Sequence, residues 1–196
     1  GSQLAADGIA ANALLVTNIA ATAGALIWLT IEWFIVKKPT LIGMASGAIS
    51  GLVGITPASG FVDVSGALAI GILSGIVGYW GVVHLKSMLN HDDTLDAFGI
   101  HGLVGIAGAL LTGVFANPAV NGGAGLLYGN PVQLWIQAKA VIIVILFSGV
   151  ATAIVWKVSE LITRGGRIDE ELELEGMDIG YHGEHHMVVD EDKIMN

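Results

Sequence analysis

Residues 64–85 contain no Asp, Glu, Lys or Arg, and similar apolar runs recur along most of the chain. A helix needs about 20 mainly apolar residues to cross a bilayer. Read by length, the runs give five spans: 12–36, 41–56, 64–85, 94–116 and 132–163. The second is short and glycine-rich. Only 13% of residues are charged, about half the share usual in soluble domains. The mean hydropathy is +0.73. The expected fold class is therefore an all-α membrane protein, a multi-span helical bundle. Residues 1–164 form its transmembrane domain, and 165–196 form a cytoplasmic tail.

The 28 glycines are about twice average usage. Gly47/Gly51, Gly71/Gly75/Gly78 and Gly102/Gly105/Gly108 are spaced by three or four residues. That spacing puts small residues on one helix face, where backbones can approach closely. There is no cysteine, which removes disulfides and thiolate metal sites. Gly1-Ser2-Gln3-Leu4 is neither basic nor strongly apolar, so no cleavable signal peptide is expected.

Basic residues set the expected orientation. Lys37 and Lys38 follow the first span, Lys86 follows the third, and Lys157, Arg164 and Arg167 cluster around the end of the fifth. This places the C-terminus in the cytoplasm and the N-terminus outside. Lys139 is the exception, near the outer end of span five, and is expected to snorkel or pair within the bundle. Span five, at 1.5 Å per residue, reaches about 48 Å, so it is expected to tilt and continue beyond the hydrocarbon.

The net charge of −9 sits at one end. Residues 1–164 hold seven acids and six bases, or −1; residues 165–196 hold ten acids and two bases, or −8. Gly165-Gly166 is expected to stop the helix, and residues 169–175 to form a solvated acidic segment, either a solubilising end or a docking element. His182, His185 and His186 lack the partners of a metal site.

No phosphate loop, nucleophile triad or metal-ligand spacing appears, so neither an enzyme nor a cofactor is expected. An acidic, apolar chain also lacks a nucleic-acid footprint. The residue that stands out is His101, expected in the middle of the fourth span. A titratable group there usually faces a cavity, a partner or a substrate path. Gly99 and Gly102 flank it, leaving space beside the ring for a narrow passage or another helix. A neutral imidazole can accept a hydrogen bond from a polar permeant or exchange a proton with it. Asp92, Asp93 and Thr94 are expected to cap this helix, and Asp96 to shape its cytoplasmic mouth. His84 and His91 are expected at the interface, and the five tryptophans include interface anchors. Glu32 is expected to pair with a neighbouring helix.

Thr17-Asn18-Ile19-Ala20-Ala21-Thr22-Ala23, Lys38-Pro39-Thr40, Ser46-Gly47-Ala48-Ile49-Ser50-Gly51-Leu52-Val53-Gly54-Ile55-Thr56-Pro57-Ala58 and Asp93-Thr94-Leu95-Asp96-Ala97-Phe98-Gly99-Ile100-His101-Gly102 carry a resemblance. Glu175-Gly176-Met177-Asp178 and His182-Gly183-Glu184 extend it. With these motifs the chain resembles the C-terminal half of an Amt/Mep ammonium transporter, with Rh proteins as more distant relatives. The resemblance implies an eleven-helix homotrimeric channel or transporter in the plasma membrane, made of two inverted five-helix repeats and a long last helix. The five spans would be helices seven to eleven.

His101 would be the second of two paired histidines lining a hydrophobic pore for ammonium or ammonia. Ser2 would lie near the external recruitment site. The aromatic cage, phenylalanine gate, buried aspartate and first histidine would belong to the N-terminal half, the expected partner of these residues. A PII-type signal protein would cap the cytoplasmic face, where Asp96 and Ser46 fall at vestibule positions. An ammonium sensor of the same fold, a Rh-like gas channel and a structural half-bundle subunit are the competing readings.

Overall fold

The computed structural model describes residues 3–90, 93–163, 165–180 and 182–183. All regular structure among them is helical: α1 (Gly8–Ile35), α2 (Leu41–Ile55), α3 (Val64–Trp80), α4 (Lys86–Leu89), α5 (Val104–Phe115), α6 (Pro118–Asn121), α7 (Pro131–Thr163), α8 (Glu170–Glu175) and α9 (Met177–Gly180). A π turn, Gly81–Leu85, joins α3 to α4, and a second, Phe98–Leu103, leads into α5. The chain packs as two compact units, residues 1–144 and 145–196.

Helices α1, α2 and α3 each start at a side-chain cap. Asp7 accepts the N–H groups of Ile9 and Ala10 at 3.0 and 3.1 Å. The Thr40 hydroxyl accepts the Gly43 N–H at 2.9 Å. Asp63 accepts the Gly66 N–H at 2.9 Å and the Ser65 hydroxyl at 2.7 Å. These groups satisfy N–H donors that have no carbonyl partner within the helix. Glu32 ties α1 to α2 as the sequence suggests: its carboxylate accepts the Thr40 N–H at 2.7 Å and the Trp28 indole N–H at 3.2 Å. Lys37, with φ 65°, turns the chain between the two helices.

The first unit is assembled on small residues. A Cβ on Gly47 would lie 2.5 Å from Trp28 Cβ and 2.6 Å from the Gly24 carbonyl; on Gly71, 2.5 Å from the Ala20 carbonyl. Gly51 meets the same Ala20 carbonyl from α2, and Gly75 lies against Gly24 and Ile27. Helix α1 is thus gripped by α2 and α3 at Ala20 and Gly24. Gly108 brings α5 onto α2, where a Cβ would lie 2.8 Å from Gly54 Cα. The rest of the α5 stripe does not pack this way: Gly102 faces the ring of its own Phe98, and Gly105 has only Val53 at 4.0 Å. At one end of this bundle Val16, Ala20, Ile55, Ala58, Val62, Ala67 and Ile70 form a buried apolar core.

Trp28 is not an interface anchor. It is buried, with its ring edge-on to Tyr79 at 5.3 Å. Trp33, Trp80, Trp135 and Trp156 are exposed.

Among the described residues, four helical stretches are long and apolar enough to cross a membrane: Gly8–Ile35, Val64–Leu89, Phe98–Phe115 and Pro131–Thr163. At 15 residues, α2 spans about 22 Å, short of a full crossing unless the turn that follows completes it. No residue of α7 is buried. Such a surface suits lipid or neighbouring helices.

In the second unit, Arg167 makes a two-point pair with Glu173 at 2.7 and 3.1 Å. Hydrogen bonding from the guanidinium holds the Glu173 carboxyl below the usual range. The acidic segment is helical over Glu170–Glu175. His185 and His186 lie outside the described residues.

Gly51→Leu is expected to cost about 1–3 kcal/mol or more through overpacking against Ala20. Gly105→Ala is expected to leave the melting temperature in detergent unchanged. Asp63→Ala is expected to cost about 1 kcal/mol by loss of the cap. The Gly66 N–H, the Ser65 hydroxyl and Asn117 hold the Asp63 carboxyl below its ordinary value. The stabilisation is therefore complete above that ordinary value and lost as pH falls through the lower, folded one. Melting curves of parent and variant should converge on acidification.

Candidate functional site

The two π turns lie against each other. A Cβ on Gly81 would sit 3.1 Å from Gly99 Cα, and one on Gly99 would sit 3.1 Å from the Gly81 carbonyl carbon and the Val82 nitrogen. A methyl at either position would require its neighbours to give by a few tenths of an ångström, so glycine favours this close backbone approach. Gly99 therefore leaves room for another helix, one of the two uses expected of it.

The approach to α5 is a turn. The chain enters from Asp93, whose two carboxylate oxygens accept the Ala97 and Phe98 N–H groups, each at 2.8 Å. Thr94 and Leu95 form the turn between them. The helical part of span four thus begins at Ala97, not Thr94, because the cap reaches forward to these two donors. Asp92 and His91 lie outside the described residues. Asp96 has φ 56°, a left-handed conformation uncommon for a residue with a side chain. Its carbonyl accepts the Ile100 N–H at 2.9 Å.

This start corrects the expected place of His101. It lies inside the π turn Phe98–Leu103, at the beginning of the span and not at its middle. Gly99 and Ile100 are buried, whereas His101 is exposed. The π turn carries one more residue per hydrogen-bonded ring than an α turn. Segments of this kind are frequent at functional sites. His84 occupies the other π turn and is also exposed, 6.4 Å from the Tyr79 ring.

Asp96 is half-buried and paired. Lys86 Nζ donates to its Oδ1 at 2.7 Å. A charge-assisted bond of this length is among the stronger polar contacts. Reading the sequence counted Lys86 only as an orientation signal and missed this partner. Opposite charges at the two ends of a short helix-to-helix connection were the available clue.

Ser46 is half-buried in the second turn of α2, and its carbonyl accepts the Ser50 hydroxyl at 2.9 Å. Among the described residues, no hydrogen bond joins Ser46 or Asp96 to His101. Ser2 lies outside the described residues. Lys139 Nζ lies 5.9 Å from the Trp135 ring centroid, within cation–π range.

Among the described residues no cluster of three His, Cys, Asp or Glu side chains could hold a metal ion. In the second unit a cavity of about 580 Å³, lined by Trp156, Glu160, Thr163, Arg167 and Met177 among others, contains none of the candidate residues.

Residues 1–187 match the Ammonium Transporter Family. An ammonium transporter of Aquifex aeolicus (strain VF5) is 48% identical over 184 residues, which is 94% of this chain and 43% of that protein. Among solved structures, Saccharomyces cerevisiae Mep2 aligns with a TM-score of 0.77 at 34% identity, over 83% of this chain and 38% of its own. A sensor Amt protein aligns with a TM-score of 0.76 at 26% identity, over 89% of this chain and 42% of its own. The chain thus spans less than half the length of these relatives.

The capping geometry gives a direct test. Asp93→Ala is expected to cost about 1 kcal/mol and to speed amide exchange at Ala97 and Phe98. Hydrogen-exchange mass spectrometry of the peptide covering both residues measures it.

Proposed function

Because the chain belongs to the ammonium transporter family, we propose that it supplies the second half of a pore that conducts ammonium or ammonia across the cell membrane. One observation carries this reading. His101 presents an exposed imidazole on a helix whose neighbouring residues Gly99, Ile100 and Val104 are buried. A titratable group left uncovered on a membrane-spanning helix calls for a polar partner or a permeation path. In the complete protein that cover is the N-terminal half, which brings the first histidine of the pair.

The physics of the task favours this arrangement. Taking an ammonium cation into a low-dielectric passage costs several kcal/mol even after relaxation. Binding it at the outer mouth by cation–π contact and hydrogen bonds offsets part of that cost. Transfer of one proton to water at the outer mouth then leaves neutral ammonia, which the imidazole pair can hydrogen-bond along an otherwise apolar path. Ser2 belongs to the outer recruitment site in this reading. No covalent chemistry is required, in keeping with a family of transporters rather than enzymes.

Orientation and assembly complete the proposal. The N-terminus faces outward and residues 165–196 lie in the cytoplasm, as the basic residues direct. Three copies associate as a homotrimer, with lipid or neighbouring helices covering the apolar surface of α7. A PII-type signal protein docks at the cytoplasmic face near Asp96 and Ser46. The likeness to a sensor Amt protein favours one second reading, an ammonium-responsive receptor that recruits a partner without flux.

The intact mass of the denatured, purified protein comes first, because it shows whether both halves are present. In the complete protein, His101→Ala is expected to abolish selective ammonium flux into proteoliposomes or to change ion selectivity. Unchanged flux and selectivity would remove His101 from the pathway. Ammonium-dependent partner recruitment without flux in the parent would favour the receptor.

A further inference from the structure

We propose that Lys86 is a positioning residue for His101, acting through its ion pair with Asp96 on the π turn that aims the imidazole. The proposal rests on the reading of His101 as pore-lining. Lys86 directly follows the first π turn, Gly81–Leu85, and Asp96 stands two residues before the second, Phe98–Leu103. The turns are joined twice: by backbone packing at Gly81 and Gly99, and by the 2.7 Å contact between Lys86 Nζ and Asp96 Oδ1. The side chains of the pair are 33% and 29% exposed, so water screens the pair only in part.

Asp96 is the point of control. Its φ of 56° is uncommon for a residue with a Cβ, although aspartate adopts it more readily than most. Its N–H donates to the Asp93 carbonyl at 3.1 Å, and its carbonyl accepts the Ile100 N–H at 2.9 Å. The torsion of Asp96, together with the Asp93 cap on Ala97 and Phe98, sets which amide makes the first helical bond and so the register in which the turn winds. A one-residue change of register turns the side chains that follow by about 100° around the axis. His101, five residues on, would then leave its present face. Without the Lys86 cation, a half-buried carboxylate loses its counter-charge, and Asp96 gains by relaxing toward water and out of the left-handed conformation.

The test uses the full-length transporter in proteoliposomes, with Lys86→Gln, Lys86→Arg and His101→Ala compared in one ammonium-flux assay. Hydrogen exchange is read on the peptide covering residues 97–104. Lys86→Gln is expected to lower the maximal rate by about tenfold or more, as misplacement of a reacting group does. The ammonium KM should stay at the parent level, and exchange in the 97–104 peptide should quicken. Lys86→Arg should restore both rate and exchange. Parental rate and selectivity in Lys86→Gln overturn the proposal while leaving the pore reading intact if His101→Ala abolishes flux. A lower rate with unchanged exchange also overturns it, because Lys86 would then act as a charge in the path. A silent His101→Ala overturns the pore reading and this proposal with it. Should Lys86→Gln fail to fold, Asp96→Asn removes the same pair from the other side. A folded Asp96→Asn with slow flux and quickened exchange supports the assignment; parental values of both overturn it.

Discussion

The close approach of three helix backbones at Ala20 and Gly24 is the contact on which the first unit depends. Gly51 of α2 and Gly71 of α3 both meet the Ala20 carbonyl, and Gly47 and Gly75 both lie against Gly24. In hydrocarbon there is no hydrophobic drive to bring one apolar helix against another. What remains is dispersion between closely packed atoms, and it weakens steeply once side chains hold the backbones apart. The small residues therefore act as the adhesive. They also fix where α5 can lie, since Gly108 rests on Gly54 of α2, which is already held.

The capping acids and the Thr40 hydroxyl of this bundle lie at helix ends, whereas the hydroxyls of Ser50, Ser74 and Thr112 are buried within helices. Asp7, Thr40, Asp63 and Asp93 each receive backbone N–H groups where helical bonding begins. Glu32 and Asn117 connect such ends across chain distance, to Thr40 and Asp63 respectively. A polar group left in the apolar interior without a partner is costly. The two π turns are the departure from regularity, and both carry a histidine. Their contact through Gly81 and Gly99 brings the backbones of two elements together beside His101.

Much of the surface described here is apolar and uncovered. No residue of α7 is buried, and His101 is exposed on an otherwise apolar span. Both features fit a chain that spans less than half the length of relatives such as the Aquifex aeolicus transporter. Inverted-repeat transporters place their substrate sites at the interface between repeats. In the proposed function, the surface carrying His101 would be one side of such an interface.

The sequence by itself determined that this chain is helical, membrane-embedded and tightly packed, and it singled out His101 and Asp96. It could do so because apolar length, glycine spacing and charge placement are local properties of the chain. The Asp93 cap was legible for the same reason: an acidic residue before an apolar run is a local signal. Only the tertiary structure decided which glycines pack, for Gly47, Gly51, Gly71 and Gly108 meet neighbouring backbones while Gly105, equally well spaced, meets almost nothing. It also decided that Trp28 is buried, that Asp96 is left-handed and paired with Lys86, and that His101 begins its span within a π turn. Each of these depends on what a second helix offers at a given height, and no periodicity along one strand of sequence contains that information.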